Sequence, residues 1–315
     1  MPAELVSVIV PTFNRLGTLP ETITSVFSQT HRPIQLIVVD DGSTDGTREY
    51  LNSIVPESGC DLIVQCQQQA GAQVARNQGF RRSSGSYIQF LDSDDVLGDT
   101  KLARQIEVMK QSHAELCFCK SGIIRNNEID FETSYFPTPS GISHVRDLLV
   151  NITFNTVCGL YTRSVIDRSG LWDERLEVWQ DLEFNLKILL NAHNVQYLNE
   201  FLCAYRIDSA DSVSKSGASL EGSKRRLRTV AKIEQLLMQN TVFGVEEREW
   251  LASRYRGLAE HALRSGDNEV AIESFRRAGD FSSSVWKQWF CRIGAYHPKL
   301  ACKVRTLIGS GVSLK

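Results

Sequence analysis

Residues 86–95 read Ser-Tyr-Ile-Gln-Phe-Leu-Asp-Ser-Asp-Asp. Tyr87, Ile88, Phe90 and Leu91 make a short apolar run of the kind that forms a strand buried in a sheet, and the run stops at Asp92, Asp94 and Asp95. Three carboxylates delivered to one strand end repel one another and are costly to desolvate. The chemistry that suits them is a hard divalent cation, which commonly brings a phosphate-bearing ligand with it. The competing reading is structural, an acidic turn ahead of a helix that starts near Asp99.

The segments around this stretch repeat its logic. Residues 5–10 are a β-branched run stopped by Pro11, and Leu19, Ile23, Val26 and Phe27 then recur at helical spacing. Residues 34–39 form a second buried run that ends in Asp40-Asp41-Gly42-Ser43-Thr44-Asp45. Residues 62–64 read as a third strand, 71–79 as a helix and 87–91 as the fourth strand. Strands alternating with helices predict βαβ units, and so an α/β fold with a mainly parallel central sheet, flanking helices and right-handed crossovers. Ligands of such sheets bind beyond the carboxyl ends of the strands, where residues 11–15, 40–47 and 92–95 all fall. Ser43 or Thr44 also suits a helix cap, which does not exclude binding. The Asp41–Gly46 stretch resembles the start of an EF-hand loop, but its twelfth position is Asn52 rather than a bidentate acid. Neither GxxxxGK nor GxGxxG is present, so no P-loop or dinucleotide fingerprint is supported.

Composition sets the outer bounds. A chain of 315 residues, 42% hydrophobic and 23% charged, is that of a globular protein able to bury a real core. A net charge of -2 gives no global field for nucleic acid. Lys224, Arg225, Arg226, Arg228 and Lys232 cluster late, as the solvated face of a helix would. The N-terminus lacks the basic start of a signal peptide, and no window approaches the ~20 apolar residues of a membrane span. The eight cysteines have no paired CxxC spacing, which favours reduced core thiols and a cytoplasmic location.

Taken together, the pieces resemble family 2 glycosyltransferases, inverting enzymes of the GT-A fold that use nucleotide-diphosphate sugars. The resemblance rests on Val8-Ile9-Val10-Pro11-Thr12-Phe13-Asn14, Val38-Val39-Asp40-Asp41-Gly42-Ser43-Thr44-Asp45, the 71–79 segment with Arg76 and Asn77, and Phe90-Leu91-Asp92-Ser93-Asp94-Asp95. Further along come Gly170-Leu171-Trp172-Asp173-Glu174, Gln180-Asp181-Leu182-Glu183 and Tyr205-Arg206. The resemblance implies a nucleoside pocket from Pro11, Thr12, Asn14, Asp40 and Asp41, and a divalent metal, Mg²⁺ or Mn²⁺, on Asp94 and Asp95. It further implies that Asp92 faces the sugar or ribose, Arg76 and Asn77 lie near the nucleotide or support the acidic loop, and Trp172 and Asp173 flank the sugar, with burial in the core the competing reading of Trp172. Asp181 becomes the general base. Two departures stand out: Gln180 replaces a Glu that usual members carry, and Asp208 stands where a His often follows the Tyr-Arg pair, so Asp208 is only a further candidate ligand.

The expected organisation is a catalytic domain over 1–215 and a helical region over 216–315, joined across a Ser/Gly/Ala-rich stretch at 209–219. Segments 227–237, 246–263 and 269–278 read as helices, and 264–278 resembles half of a tetratricopeptide pair, with too few copies for a repeat array. Trp286, Trp289, Phe290 and Tyr296 beside Lys287, Arg292 and Lys299 suit core packing, an oligomer contact or a peripheral hold on the inner face of a membrane, where a lipid-linked saccharide acceptor would reside. The expected activity is metal-dependent, inverting transfer of a sugar to an acceptor hydroxyl of a saccharide or lipid-linked saccharide, in polysaccharide or glycoconjugate synthesis. The alternative is a catalytically weak protein of the same fold that binds a nucleotide or a partner.

Overall fold

The structure, a computed structural model, describes residues 4–141, 143–207, 220–240 and 243–296. The chain divides into two compact units: the first runs to Arg175 and resumes at Gln180, and the second takes Leu176–Trp179 and the helices after the first unit ends. The 209–219 stretch, Asp208 and Lys299 lie outside the described residues, as do the side chains of Trp286, Trp289 and Phe290.

In the first unit, β1 (Val6–Thr12) and β2 (Ile34–Asp40) are buried along their whole length. Helix α1 (Leu19–Phe27) lies between them in sequence and buries Leu19, Ile23 and Val26, its i, i+4, i+7 stripe. There follow α2 (Thr47–Ser53), β3 (Cys60–Cys66), α3 (Ala72–Arg82), β4 (Tyr87–Phe90) and the short β5 (Val96–Leu97). The remainder is α4 (Lys101–Ser112), β6 (Leu116–Arg125), β7 (Glu128–Asp130), α5 (His144–Asn151), β8 (Gly159–Thr162), α6 (Arg163–Ser169), α7 (Gln180–Asn191) and β9 (Val195–Arg206).

These strands form one sheet in the order β3-β2-β1-β4-β8-β6-β9-β5, with β7 on β6. The first four neighbours are parallel, and β6 runs parallel to β9. Antiparallel pairs appear where β8, β5 and β7 join. Register carries the strand ends to one edge: Thr12 is opposite Asp40, Asp40 opposite Cys66, and Ile9 opposite Phe90. Two bonds extend the ladder into the loops, from Asp41 N to Thr12 O at 2.8 Å and from Leu91 N to Ile9 O at 3.0 Å. Helix α3 crosses β1 so closely that a Cβ on Gly79 would come within 2.4 Å of Ile9 Cγ2, so a glycine is needed there.

The described cysteines are free, and the fold gathers three that are far apart in sequence: Cys203 Sγ lies 3.8 Å from that of Cys119 and 3.9 Å from that of Cys158. Burial raises the Cys119 and Cys203 thiols well above their usual range, which keeps them as neutral core groups.

The second unit is helical: α8 (Leu220–Met238), α9 (Val245–Ser265), α10 (Asn268–Phe281) and α11 (Val285–Tyr296). Gly266, at φ 80°, ends α9, and Asp267 caps α10 by accepting from Val270 N at 3.1 Å. Tyr255, Leu258 and Ala262 of α9 and Ala271, Phe275 and Ala278 of α10 are buried. The segment Leu176–Trp179 is held by α8, where Thr229 Oγ1 donates to Val178 O at 2.9 Å and Arg225 pairs with Glu177 at 3.0 Å. The basic face of α8 is therefore partly engaged in ion pairs, Arg228 also reaching Glu177 and Glu221. No described helix is long and apolar enough to cross a membrane.

Candidate active site

The ends of β1 and β2 build one wall. Pro11 and Thr12 are the last residues of β1, and Thr12 Oγ1 is buried without a hydrogen-bond partner. Asn14 sits at φ 51°, a left-handed conformation that Asn tolerates better than most residues. It exchanges two bonds with the loop after β2, donating N–H to Ser43 Oγ at 2.9 Å and accepting at Oδ1 from Thr44 N at 2.8 Å. The acids of that loop are already engaged. Asp40 accepts from Ser43 N at 3.0 Å and from Arg48 Nε at 3.3 Å. Asp41 accepts from Gln67 Nε2 at 2.7 Å, Ala70 N at 2.8 Å and Gly71 N at 2.9 Å. Its first task is thus to fold the 67–71 loop against the strand end, leaving part of a carboxylate's capacity of about four acceptor sites.

The acidic loop follows β4. Asp95 is 1% exposed; its Oδ1 accepts from Arg206 N at 2.9 Å, and its Oδ2 is buried without a hydrogen-bond partner. Burial, then the neighbouring charges of Asp94 and Asp92, push the Asp95 carboxyl well up, against the opposing N–H and charge of Arg206. The loop backbone is anchored from α1, where Thr18 Oγ1 donates to Ser93 O and Thr22 Oγ1 to Asp95 O, each at 2.9 Å.

Arg76 links this loop to α7. Its Nη2 donates to Asp92 Oδ1 at 2.5 Å, and its Nη1 approaches Gln180 Oε1 at 3.4 Å. The guanidinium carbon lies 4.4 Å from the centre of the Trp172 ring, and Phe184 stacks on the same ring at 4.2 Å. Two groups so close to one centroid must take opposite faces. Trp172 is 3% exposed, its faces are covered by Arg76 and Phe184, and it supports the Arg76 guanidinium. Asn77 is likewise turned inward. Its Nδ2 donates to Trp172 O at 2.9 Å and Glu174 Oε1 at 2.8 Å, and its Oδ1 accepts from Trp172 N at 3.1 Å. Asp173 closes a two-pronged ion pair with Arg175, at 2.9 and 2.7 Å.

Asp181 occupies the first turn of α7, where the positive helix end favours an anion. Protein packs closely around the half-buried carboxyl, and that burial raises its pKa; a bond from the Leu182 N–H and the charge of Arg76 oppose the rise, while the Asp92 charge adds to it. Mutual influence of this kind puts Asp181, Asp92 and Arg76 in one electrostatic neighbourhood. Pro11, Thr12, Asn14, Asp40 and Asp41 line the other side of the same sheet edge.

The donor set suits a hard cation. Asp95 Oδ2 is an oxygen in need of a partner, Asp94 is beside it, and Mg²⁺ typically takes one or two protein carboxylates with phosphate and water completing its shell. Among the described residues no three His, Cys, Asp or Glu side chains are disposed to hold a metal on their own. Asp208, the further candidate ligand, is outside the described residues. What sequence reasoning missed is the reach of Arg206, which was visible only as half of a Tyr-Arg pair.

A mainly parallel α/β sheet whose strand ends carry an acidic loop, with a carboxylate at a nearby helix start, is an arrangement of GT-A type. The model of the family described as Glycosyl transferase family 2 matches residues 7–170. The chain is 31% identical over 206 residues to the putative teichuronic acid biosynthesis glycosyltransferase TuaG of Bacillus subtilis, spanning 64% of this chain and 79% of that one. In structure it is similar to S. aureus TarS 1–349 in complex with UDP-GlcNAc, with a TM-score of 0.71 at 17% identity over 92% of this chain and 88% of that one. It is also similar to the mannosyltransferase PcManGT of Pyrobaculum calidifontis in complex with GDP-Man and Mn²⁺, with a TM-score of 0.53 at 15% identity over 96% and 83%. The chain belongs to glycosyltransferase family 2.

Proposed function

We propose that this glycosyltransferase is metal-dependent and inverting, with Asp181 as its general base. The observation that carries the reading is the linkage of Asp92 and Gln180 through Arg76, which draws the acidic loop after β4 toward the start of α7 that bears Asp181. A nucleotide-diphosphate sugar would lie along the edge formed by Pro11, Thr12, Asn14 and Asp41, with the unpartnered Thr12 hydroxyl available to it and Asp40 bracing the turn. Asp94 and Asp95 would hold Mg²⁺ or Mn²⁺, whose chemistry when bound is to offset charge on the departing diphosphate.

Asp181 takes the proton from the acceptor hydroxyl as that oxygen forms its bond to the anomeric carbon. The bond from that carbon to the diphosphate breaks, and its electron pair leaves with the nucleotide. An alcohol is too weak a nucleophile at neutral pH without a base, and one base suffices for a single inversion. Arg76 holds Asp92 toward the sugar and keeps a positive charge beside the base. The acceptor is proposed to be a hydroxyl of a saccharide or lipid-linked saccharide in glycoconjugate synthesis.

The test is release of nucleoside diphosphate from a panel of UDP- and GDP-sugars with Mg²⁺ or Mn²⁺, with product stereochemistry read by NMR. Inverted product supports the reading. Folded protein that binds nucleotide but turns over none of the panel would favour the weak-binder alternative, and retained configuration would overturn the single-step mechanism.

A further inference from the structure

Arg206, the last residue of β9, is nearly buried, and its main-chain N–H and guanidinium nitrogens serve the acidic loop and two elements beside it. Its main-chain N–H donates to Asp95 Oδ1 at 2.9 Å and its Nε to Asp94 O at 3.0 Å. Its Nη1 donates to Asn127 Oδ1 at 2.8 Å, and its Nη2 to Glu21 Oε2 at 2.6 Å. One side chain thereby ties together the end of β9, the loop after β4, the turn between β6 and β7, and the first turn of α1.

The geometry of these bonds separates anchoring from ligation. Arg206 holds Asp94 by its carbonyl and Asp95 by a main-chain N–H, and Asp95 Oδ2 remains without a hydrogen-bond partner. The three acceptors of the Arg206 side chain, Asp94 O, Asn127 Oδ1 and Glu21 Oε2, lie in fixed directions that suit a planar guanidinium and not the single point charge of a lysine. Glu21 and Asn127 fix the guanidinium in turn, since Asn127 is held in a left-handed conformation at φ 63° that aims its side chain from the tight β6–β7 turn. Partners behind a ligand shell commonly govern affinity as strongly as this, because they set the direction in which the ligating groups point.

We propose that Arg206 is the positioning residue of the acidic loop, oriented by Glu21 and Asn127, and that it sets the affinity of Asp94 and Asp95 for the cation on the diphosphate. The proposal rests on the metal-dependent reading above.

The test uses the full chain and titrates Mn²⁺ in the presence of UDP or GDP by calorimetry, with melting temperature measured in parallel. Arg206→Lys should weaken Mn²⁺ binding by about 10–100-fold, and Glu21→Gln, at a half-exposed position that tolerates the change, by roughly 10-fold. Metal-free nucleotide affinity should stay within about 2-fold, and adding Glu21→Gln to Arg206→Lys should cost little more, as expected of coupled positions. Variants that melt lower yet bind Mn²⁺ as the parent does would overturn the proposal and leave Arg206 as a structural tie. A parent chain whose nucleotide binding ignores Mn²⁺ would overturn the metal-dependent reading and this inference with it.

Discussion

Arg76 Nη2 lies 2.5 Å from Asp92 Oδ1, and the same guanidinium is backed by the indole of Trp172. The arginine is buried while its carboxylate partner is half-buried, so the pair is anchored on the protein side and reachable from the ligand side. Cation and ring add an attraction that strengthens as water is excluded.

Arg76→Met should therefore lower stability by about 1–3 kcal/mol, the cost of a lost charged hydrogen bond, and depress turnover more than nucleotide affinity. Urea unfolding and steady-state kinetics check both. Arg76→Lys should recover part of the stability but little of the turnover, because an ammonium cannot reach Asp92 and Gln180 together. Unchanged kcat in a folded Arg76→Met protein would remove Arg76 from the site.

Asp181→Asn should cut the transfer rate by roughly 10²–10⁴-fold with donor affinity kept, since Asn caps a helix about as well as Asp but accepts no proton. The acid limb of the wild-type pH profile should fall above the ~3.9 of a free Asp, because burial raises this carboxyl. The sign for stability is opposite to that for activity. A carboxyl whose folded pKa is raised costs stability once pH exceeds that value, and the cost disappears below the unfolded pKa. Asp181→Asn should thus match or exceed the parent's melting temperature at pH 7, with the advantage gone near pH 4. Near-parental transfer by this variant would refute its role as base.

Excess chelator should abolish turnover, and Asp95→Ala should remove the metal-dependent part of nucleotide binding. The reason is local: Asp92, Asp94 and Asp95 lie on one loop, and Asp95 is buried with an oxygen lacking a partner. Calorimetry with and without Mn²⁺ reads the difference, and full activity in chelator would sink the metal assignment.

Trp172→Ala should cost about 3–5 kcal/mol as a core truncation, whereas Trp172→Phe should cost much less. The indole N–H is buried without a hydrogen-bond partner, so phenylalanine sacrifices no bond there. Denaturant melts test this. A folded Trp172→Phe protein that loses donor affinity by tenfold or more would show that the indole serves the sugar site.

The parallel half of the sheet was legible because each strand carries its own signature: β1, β2 and β4 are apolar runs that stop at Pro11, Asp40 and Asp92. Local pattern also gave the start of α7 and helices α8, α9 and α10, but not α11. It did not give β5, β7 or β8, strands of two to four residues whose burial is decided by their neighbours. The inward turn of Trp172 and Asn77, and the four bonds of Arg206, depend on groups about a hundred residues apart or more in most cases, which no local periodicity encodes. Gln180 looked like a lost carboxylate, and in the structure it is a neutral neighbour of Arg76.

The chain leaves the first unit at Arg175, gives Leu176–Trp179 to the second, and returns at Gln180, one residue before Asp181. Leu176 and Val178 are buried, and Val178 O is bonded to Thr229. A helical module attached at one junction could be exchanged between relatives as a cassette. This one could not, because a chimaera that swapped only the residues after β9 would take Thr229 from Val178 O and Arg225 from Glu177. Any recombinant exchange of the module must carry residues 176–179 as a second graft, so the two parts of this sequence are bound to diversify together.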